Sequence, residues 1–436
     1  MRVHGEESPA ACGDHNVVVT SRAVTVGLGA AFVAASTFAP LVLKTTPSDL
    51  DLFFWPSAET AVSGHPLLIY SAQFIGGVFN DNGPLGLIPV IPAAALANAL
   101  GWAGSLAGRA ALTGAVVSLF VLLLAYQAVR LTGAARGRVR WPLGVAATVL
   151  LAPALWIGIL DYGHIEQPVE MCLLLLAISW SLGNRHALTG VALGAAVLTR
   201  TIAGFCAIPL ILAPLATHRI RPMAVTVGAT VITVCVGLAP FILADESTVL
   251  RALVTNRGGL PIGGGSFWIV ARHASWAGFV SEFDVYIGAA VATGLVAITL
   301  RRKPALATTH VGLLGLLTAA SCCVPLFAKS VFPYYLTEPY VFAAIWWLAR
   351  PGSALNWRAL IPLLLTIDVF VVKAALMTPF GVWGAVAGVT SGVALAVAAG
   401  VVTFDLLHDP VDVGASPVVR HGPRHQRVSA AVQEAP

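Results

Sequence analysis

The sequence predicts an all-α protein, a polytopic bundle of transmembrane helices with about twelve crossings. Hydrophobic residues make up 57% of the 436 residues and charged residues only 10%, whereas soluble domains carry about 25% charged residues. The apolar residues form repeated runs of roughly 15–22 residues, which suit a hydrocarbon layer ~30 Å thick. Because the backbone must satisfy its own hydrogen bonds inside that layer, we expect these runs to be helices.

Charges between the apolar runs predict the orientation of the chain. The net charge of +5 reflects orientation and contact with the lipid bilayer rather than nucleic-acid binding. Lys and Arg near membrane ends stay in the cytoplasm, so we expect a multi-pass protein of the plasma membrane with both termini inside. The basic, inner segments are 130–140, 185–186, 218–221, 301–303, 350–358 and 420–427. The acidic and aromatic, outer segments are 48–84, 161–167, 245–284, 329–335 and 378–384.

Three regions follow along the chain. Residues 1–21 and 408–436 are polar, and we expect them to be disordered cytoplasmic tails. Residues 22–407 form the transmembrane domain. It begins with an uncleaved first crossing at 23–43 and continues in a first outer loop at about 44–107.

Two apolar stretches depart from simple crossings. The stretch 85–100 contains two prolines, and a crossing there would place the basic segment 130–140 outside. We expect a juxtamembrane or re-entrant element instead, followed by a crossing at 108–129. The stretch 186–216 has basic flanks on both sides and is short for two full crossings. It predicts two short helices with a turn near Arg200 and Thr201.

The first outer loop carries the clearest candidates for chemistry. Asp49 and Asp51 follow the first crossing, and residues 53–62 predict a short amphipathic helix at the membrane interface, which Gly64 and Pro66 end. A carboxylate at such a boundary can act as a general base. The alternative is that both acids only cap the N-terminus of this helix.

The motifs of this loop have a characteristic order. The loop has the form Asp-x-x-x-aromatic-x-x-Ala, followed by a Gly, a Tyr and a Pro-containing apolar element. The matching positions are Asp51, Trp55, Ala58, Gly64, Tyr70 and 83–85. The pattern resembles the GT-C superfamily, multi-spanning glycosyltransferases that use polyprenyl-phosphate sugars. Within it, the chain looks like the polyprenyl-phosphate-mannose-dependent mannosyltransferases of actinobacterial envelopes.

Further motifs extend the resemblance over roughly residues 20–350. Residues 161–167 resemble the second outer loop of the family, 188–200 a short helix that ends in Thr-Arg, and 332–335 an aromatic outer loop. The chain departs from the family at 80–84, where Asn-Asp-Asn-Gly-Pro replaces Tyr-x-Pro-Pro. Asp81 therefore becomes a second candidate acid in the substrate site.

The resemblance implies an enzyme that moves a sugar from a polyprenyl-phosphate donor to a glycolipid or lipoglycan acceptor at the outer face. Mannose is the expected sugar, with arabinofuranose or glucose as alternatives. The first-loop Asp would be the catalytic base. By its position in the motif, Asp51 is the first candidate and Asp49 is the second. Because the leaving group is already a phosphate ester, one base and a cation near the phosphate suffice. No tightly bound cofactor or metal is expected, and dependence on a divalent metal ion stays open.

The phosphate of the lipid donor requires a cation near the outer surface of the membrane. Arg200 is the first candidate, because a charged residue inside a membrane segment is by default a hypothesis for a functional site. Its alternative is an ion pair with Asp368, which lies in another apolar run. Further candidates for this cation are Lys329, Arg257 and Arg272. The alternative is that these three side chains are solvated loop charges without a role in binding.

Other polar and aromatic residues fall in the same outer segments. His164 and Glu166 are expected to bind sugar hydroxyls or support the base, the alternative being interface hydrogen bonds alone. Tyr334 and Tyr335 either stack on the sugar or lipid or anchor the protein as part of an aromatic belt. Glycines at 258–259 and 263–265 predict a flexible outer loop over the substrate.

A transporter or flippase of lipid-linked glycans is the second hypothesis. Arg200 and Asp368, both inside apolar runs, favour it, because transporters bind their substrates near the midplane of the bilayer. The sequence shows no internal repeat, however, and the residues capable of chemistry gather in the outer segments. Both features favour the enzyme.

Overall fold

The computed structural model describes residues 14–43, 45, 47–71, 80, 82–136, 142–255, 262–350, 356–377 and 382–408. These residues form a helical bundle with one minimal β pairing. The α-helices are α1 (Asp14–Leu43), α2 (Trp55–Val62), α3 (Val90–Leu100), α4 (Leu106–Arg136), α5 (Pro142–Leu150), α6 (Pro153–Ile157), α7 (Gln167–Leu182), α8 (His186–Thr199), α9 (Ala203–Cys206), α10 (Ile208–Ala216), α11 (Ile220–Leu250), α12 (Ala277–Arg302), α13 (His310–Phe327), α14 (Thr337–Ala349), α15 (Leu360–Leu376) and α16 (Val382–His408).

The all-α membrane fold is confirmed in its coarse features. Within the described residues, eight helical stretches are long and apolar enough to cross a membrane. They are Val26–Leu43, Leu106–Ala135, Pro142–Tyr162, Ile220–Val254, Glu282–Arg302, His310–Phe327, Trp357–Leu376 and Val382–His408. Large apolar side chains on them are exposed, such as Leu243 at 87%, as expected for surfaces that face lipid. The number of about twelve crossings stays a prediction.

Both predicted irregular stretches contain short helices, and their position relative to the membrane stays a prediction. The helix α3 has 11 residues, which is about 16 Å at 1.5 Å per residue and too short for a crossing. The next helix, α4, covers the predicted crossing at 108–129. After α8, the backbone of Arg200 is extended, and the short helices α9 and α10 follow.

The predicted first-loop helix is also present. A π-helical turn, Leu50–Phe54, leads into α2, which ends before Gly64 at a φ of +94°. Trp55 is fully buried, and Ser57 Oγ donates a hydrogen bond to the carbonyl oxygen of Ile69 at 2.8 Å. The loop therefore packs against the bundle and gives Asp49 and Asp51 fixed positions.

Small residues let α8 approach α11 closely. A Cβ at Gly190 would overlap backbone atoms of Thr226, and one at Gly194 would lie 2.6 Å from Thr233. Thr226 and Thr230 donate hydrogen bonds to carbonyl oxygens of α8 at 3.3 and 3.2 Å. Such spacing of small residues by four positions is typical of helix pairs in membranes. It fixes the end of α8, where Arg200 lies.

The helices α13 and α14 are almost entirely buried, and they form the centre of the bundle. Arg350, directly after α14, pairs with Asp405 of α16. Arg358 Nη2 lies 2.6 Å from the other oxygen of this carboxylate. We call these three residues the Asp405 cluster. Glu338 stands at the opposite end of α14, so this one helix connects two buried sets of charges.

Three of the predicted outer segments contact one another through their described residues, and the last of them leads directly to Glu338. Ser71 Oγ donates to Asp245 at 2.7 Å, and Asp284 accepts from the backbone amide of Lys329 at 2.7 Å. Two short parallel strands, β1 (Gly263–Gly264) and β2 (Ser330–Val331), join the same two segments, 245–284 and 329–335, a second time. A Cβ at Gly264 would overlap the carbonyl oxygen of Val331. These glycines therefore permit close backbone pairing, while positions 258–259 lie outside the described residues.

Candidate functional site

The first outer loop and the second one join through His164. His164 follows α6 and a π-helical turn, and Gly163 before it adopts a φ of +83° against the backbone of Leu50. The imidazole Nε2 lies 2.9 Å from Asp49 Oδ2, and Nδ1 lies 2.8 Å from Glu166 Oε1. Asp49 is at the N-cap position of the next turn but makes no capping hydrogen bond with its side chain. It contacts His164 instead.

These two carboxylates set the charge of His164. Burial by itself would lower the pKa of this imidazole, but the charges of Glu166 and Asp49 raise it to about 9. At neutral pH the side chain is therefore a cation that holds two anions. Asp49, Glu166 and the imidazolium form one chain of contacts that runs from the partly exposed loop into the protein.

The chain of contacts continues to a buried arginine. Arg200 Nε lies 3.6 Å from Glu166 Oε1, and Nη1 lies 3.7 Å from Glu170 Oε2 and pairs with Glu338. The Arg200 side chain is only 4% exposed. We call these four residues the Arg200 cluster. With one guanidinium for three acidic side chains, it is not a site of excess positive charge.

The alternative of an ion pair between Arg200 and Asp368 was wrong. Asp368 accepts a hydrogen bond from Ser391 Oγ at 2.9 Å, and the described carboxylates around Arg200 come from α7, α14 and the loop before α7. The reason is geometric. Asp368 lies on α15 and faces α16, whereas the extended backbone after α8 directs Arg200 toward α7 and α14.

A second pair of charges lies nearer to solvent. Arg109 Nη1 is 2.7 Å from Asp51 Oδ1, and the guanidinium lies 5.3 Å from the centroid of the Trp55 ring. The side chain of Asp51 is 44% exposed and that of Arg109 is 22% exposed. Asp51 thus combines an accessible carboxylate with a neighbouring cation.

An aromatic group lines the same end of the bundle. Tyr334 packs on His164 with ring centroids 3.6 Å apart, and Phe332 stacks on Tyr334 at 5.5 Å and an interplanar angle of 4°. Tyr335 stacks on Tyr334 at 5.0 Å and lies 5.6 Å from the guanidinium of Arg200. Tyr334 is buried in the protein, which does not suit an anchor in an aromatic belt.

The remaining candidates are placed apart from these groups. Lys329 is buried, so its interpretation as a solvated loop charge was wrong, and burial lowers its pKa although Asp284 opposes this. Arg272 is exposed beside His273. Asp81 and Arg257 lie outside the described residues.

Three charged residues of the site were missed in the sequence. Arg109 stands at the outer end of a predicted crossing, where a basic residue is unusual, and this is the signal that could have found it. Glu170 and Glu338 lie inside or beside apolar runs, and such acids are functional candidates by default. Among the described residues, no group of three or more His, Cys, Asp or Glu side chains is arranged to hold a metal ion.

No known protein family matches the chain, and no curated protein matches it. The fold defines a polytopic helical membrane protein. The finer resemblance to GT-C enzymes rests on the sequence motifs.

Proposed function

We propose that the chain is an integral membrane glycosyltransferase that uses a polyprenyl-phosphate sugar, with mannose as the expected sugar. The observation that carries the proposal is the exposed pair of Asp51 and Arg109, at the end of the bundle where the outer segments and the aromatic group meet. A base and a cation side by side are the two groups that the reaction requires.

The reaction follows from these positions. Asp51 takes the proton of an acceptor hydroxyl, and the oxygen attacks the anomeric carbon of the donor sugar. The bond from this carbon to the phosphate oxygen breaks, and the polyprenyl phosphate leaves with the bonding electrons. Arg109 stabilises the charge that this oxygen gains. Because Asp51 Oδ1 contacts Arg109, the phosphate must exchange for or share that contact.

Arg200 is less suited to bind the phosphate than Arg109. Its side chain is enclosed, and its guanidinium already contacts three acidic side chains, with which a phosphate would have to compete. We assign it a supporting role. It orients Glu166, which contacts His164, which in turn contacts Asp49 two residues before the base.

The aromatic group supports binding of a sugar. Phe332 and Tyr335 are partly exposed and share a stacked arrangement with Tyr334. Flat aromatic faces pack against the apolar faces of sugar rings, and nearby polar groups bind the hydroxyls. Carboxylates and aromatic rings lie side by side at this end of the bundle, as binding of a sugar requires.

The direct test is transfer of labelled sugar in membranes that contain the protein. Synthetic polyprenyl-phosphate mannose would be added with endogenous lipid acceptors, and labelled glycolipid would be separated and counted. We expect product only in membranes with the protein. If no polyprenyl-phosphate sugar (mannose, arabinofuranose or glucose) gives product, the proposal is overturned.

A transporter of lipid-linked glycans is the second candidate. The buried Arg200 cluster favours it, because ionisable groups inside membrane bundles occur in transport pathways. In reconstituted vesicles, a transporter would move the intact labelled lipid between leaflets without forming a new glycoside. The same preparation therefore separates the two functions.

A further inference from the structure

A cavity of about 240 Å³ lies between α10, α12 and the turn at Pro304–Thr308. It is at the basic end of the bundle, a helix length away from the candidate site. Leu212 and Leu215 of α10 and Ala297 and Leu300 of α12 form apolar walls. Leu215 is 39% exposed, so the wall reaches the lipid-facing surface of the bundle.

The edge of this cavity is basic. His218 and Arg301 also line it, and both side chains are exposed. None of the described residues that line the cavity is acidic, and the neighbouring segments 216–221 and 301–304 contain no Asp or Glu. Asp405, at the same end, already binds the two arginines of its own cluster. Positive charge at the cavity is therefore not neutralised by these segments.

An apolar chamber with a basic edge fits an anionic lipid. Basic pockets between transmembrane helices bind anionic headgroups. Pockets for whole drug-sized ligands measure about 300–1,000 Å³, so this smaller cavity suits one acyl chain. We infer that it binds an acyl chain of an anionic phospholipid, whose phosphate lies at His218 and Arg301. The inference does not depend on glycosyl transfer.

Lipid retention by the wild-type protein gives the first test. The purified full-length protein would be incubated with equal amounts of phosphatidylglycerol or phosphatidylcholine and examined by native mass spectrometry. We expect about fivefold greater retention of phosphatidylglycerol, the factor that corresponds to one cation near a headgroup. Equal retention would overturn the inference. Inorganic phosphate that displaces the lipid at equal concentration would assign the site to a free anion and also overturn it.

Matched variants locate the site. Arg301→Gln should abolish the preference for phosphatidylglycerol, whereas Arg302→Gln, an exposed neighbour outside the cavity lining, should keep it. Ala297→Phe should fill the chamber and reduce lipid retention. An equal loss in both arginine variants would indicate general surface charge and contradict a defined site. Undiminished retention in Ala297→Phe would show that the chamber holds no chain.

Discussion

The two buried charge clusters at the ends of α14 have opposite compositions. The Arg200 cluster surrounds one guanidinium with three acidic side chains, and the Asp405 cluster surrounds one carboxylate with two guanidiniums. The first lies among the acidic and aromatic segments that are predicted to face outward, and the second among the basic segments that are predicted to face inward. The bundle therefore separates charge along its length.

This difference has consequences for what each end can bind. The acidic surroundings of Arg200 disfavour a phosphate, so we assign the phosphate to Arg109, which is partly exposed beside Asp51. The excess of basic residues at the other end attracts anionic lipid. The same separation of charge makes the two ends suitable for different ligands.

The largest expected effect is that of Arg200→Gln. Removing one partner of a buried ion pair costs about 3–5 kcal/mol, and here three acidic side chains would lose their cation. We expect a large loss of folded protein, measured as thermal stability in detergent. Arg358→Gln is the matched control, because Asp405 keeps Arg350. It should cost less, about 1.5–3 kcal/mol, as for hydrogen bonds to a charged group, because Arg358 contacts the carboxylate through two nitrogens but leaves it paired when removed.

A double variant distinguishes loss of the ion pair from general misfolding. Arg200→Gln combined with Glu338→Gln removes one charge of each sign, so part of the stability should return. Equal losses from Arg200→Gln and Arg358→Gln, without any return in the double variant, would show that the two clusters do not differ as described.

Arg109→Gln should act on donor binding. A hydrogen bond to a charged group contributes about 1.5–3 kcal/mol, so the KM for the polyprenyl-phosphate donor should rise at least about tenfold. The control is Arg130→Gln at the opposite end of α4, where the guanidinium lies over Tyr126. Initial rates over a range of donor concentrations would separate KM from kcat. If both KM and kcat were unchanged in Arg109→Gln, this arginine would be removed from the phosphate site.

The pH dependence of stability should report the charge of His164. The pKa of His164 is raised from 6.5 to about 9, so its stabilising contribution is complete below about pH 6.5 and disappears as the pH rises through about 9. Thermal stability of the wild type should therefore fall over this interval. In His164→Gln the fall should be smaller. A wild-type curve identical to that of the variant would contradict a charged His164.

The smallest effect is expected at an exposed ion pair. Lys373 pairs with Asp161, and both side chains are about one third exposed, at 29% and 33%. Exposed pairs contribute about 0–1 kcal/mol, so Lys373→Gln should change thermal stability little. A loss as large as that of Arg200→Gln would show that burial does not decide the strength of these pairs.

Local features of the fold were predictable from the sequence. The prolines of 85–100 predicted an irregular element, and the structure has a short helix there. The basic flanks of 186–216 predicted two short helices with a turn near Arg200, and the structure has a helix break at that residue. The first-loop helix followed from its amphipathic pattern and terminal glycine. In each case the deciding interactions lie within one segment, which periodicity and charge can report.

Long-range pairing was not predictable in this way. Arg200 and Glu338 are 138 positions apart, and no local pattern distinguishes Glu338 from Asp368 as the partner. Arg109 and Asp51 are 58 positions apart and meet only because α2, α3 and α4 pack together. The roles of Asp51 and the aromatic residues came from the resemblance to GT-C enzymes and stay predictions.

The central claim is tested most directly by comparing sugar transfer in Asp51→Asn, Asp49→Asn and Glu282→Gln membranes at equal expression. Glu282 is an exposed acid on α12, and its replacement should leave the rate unchanged. Loss of a general base lowers the rate by about 10²–10⁴-fold, and we expect this loss in Asp51→Asn. Asp49→Asn, which weakens the contact with His164, should retain more activity. Wild-type transfer by Asp51→Asn would contradict the account.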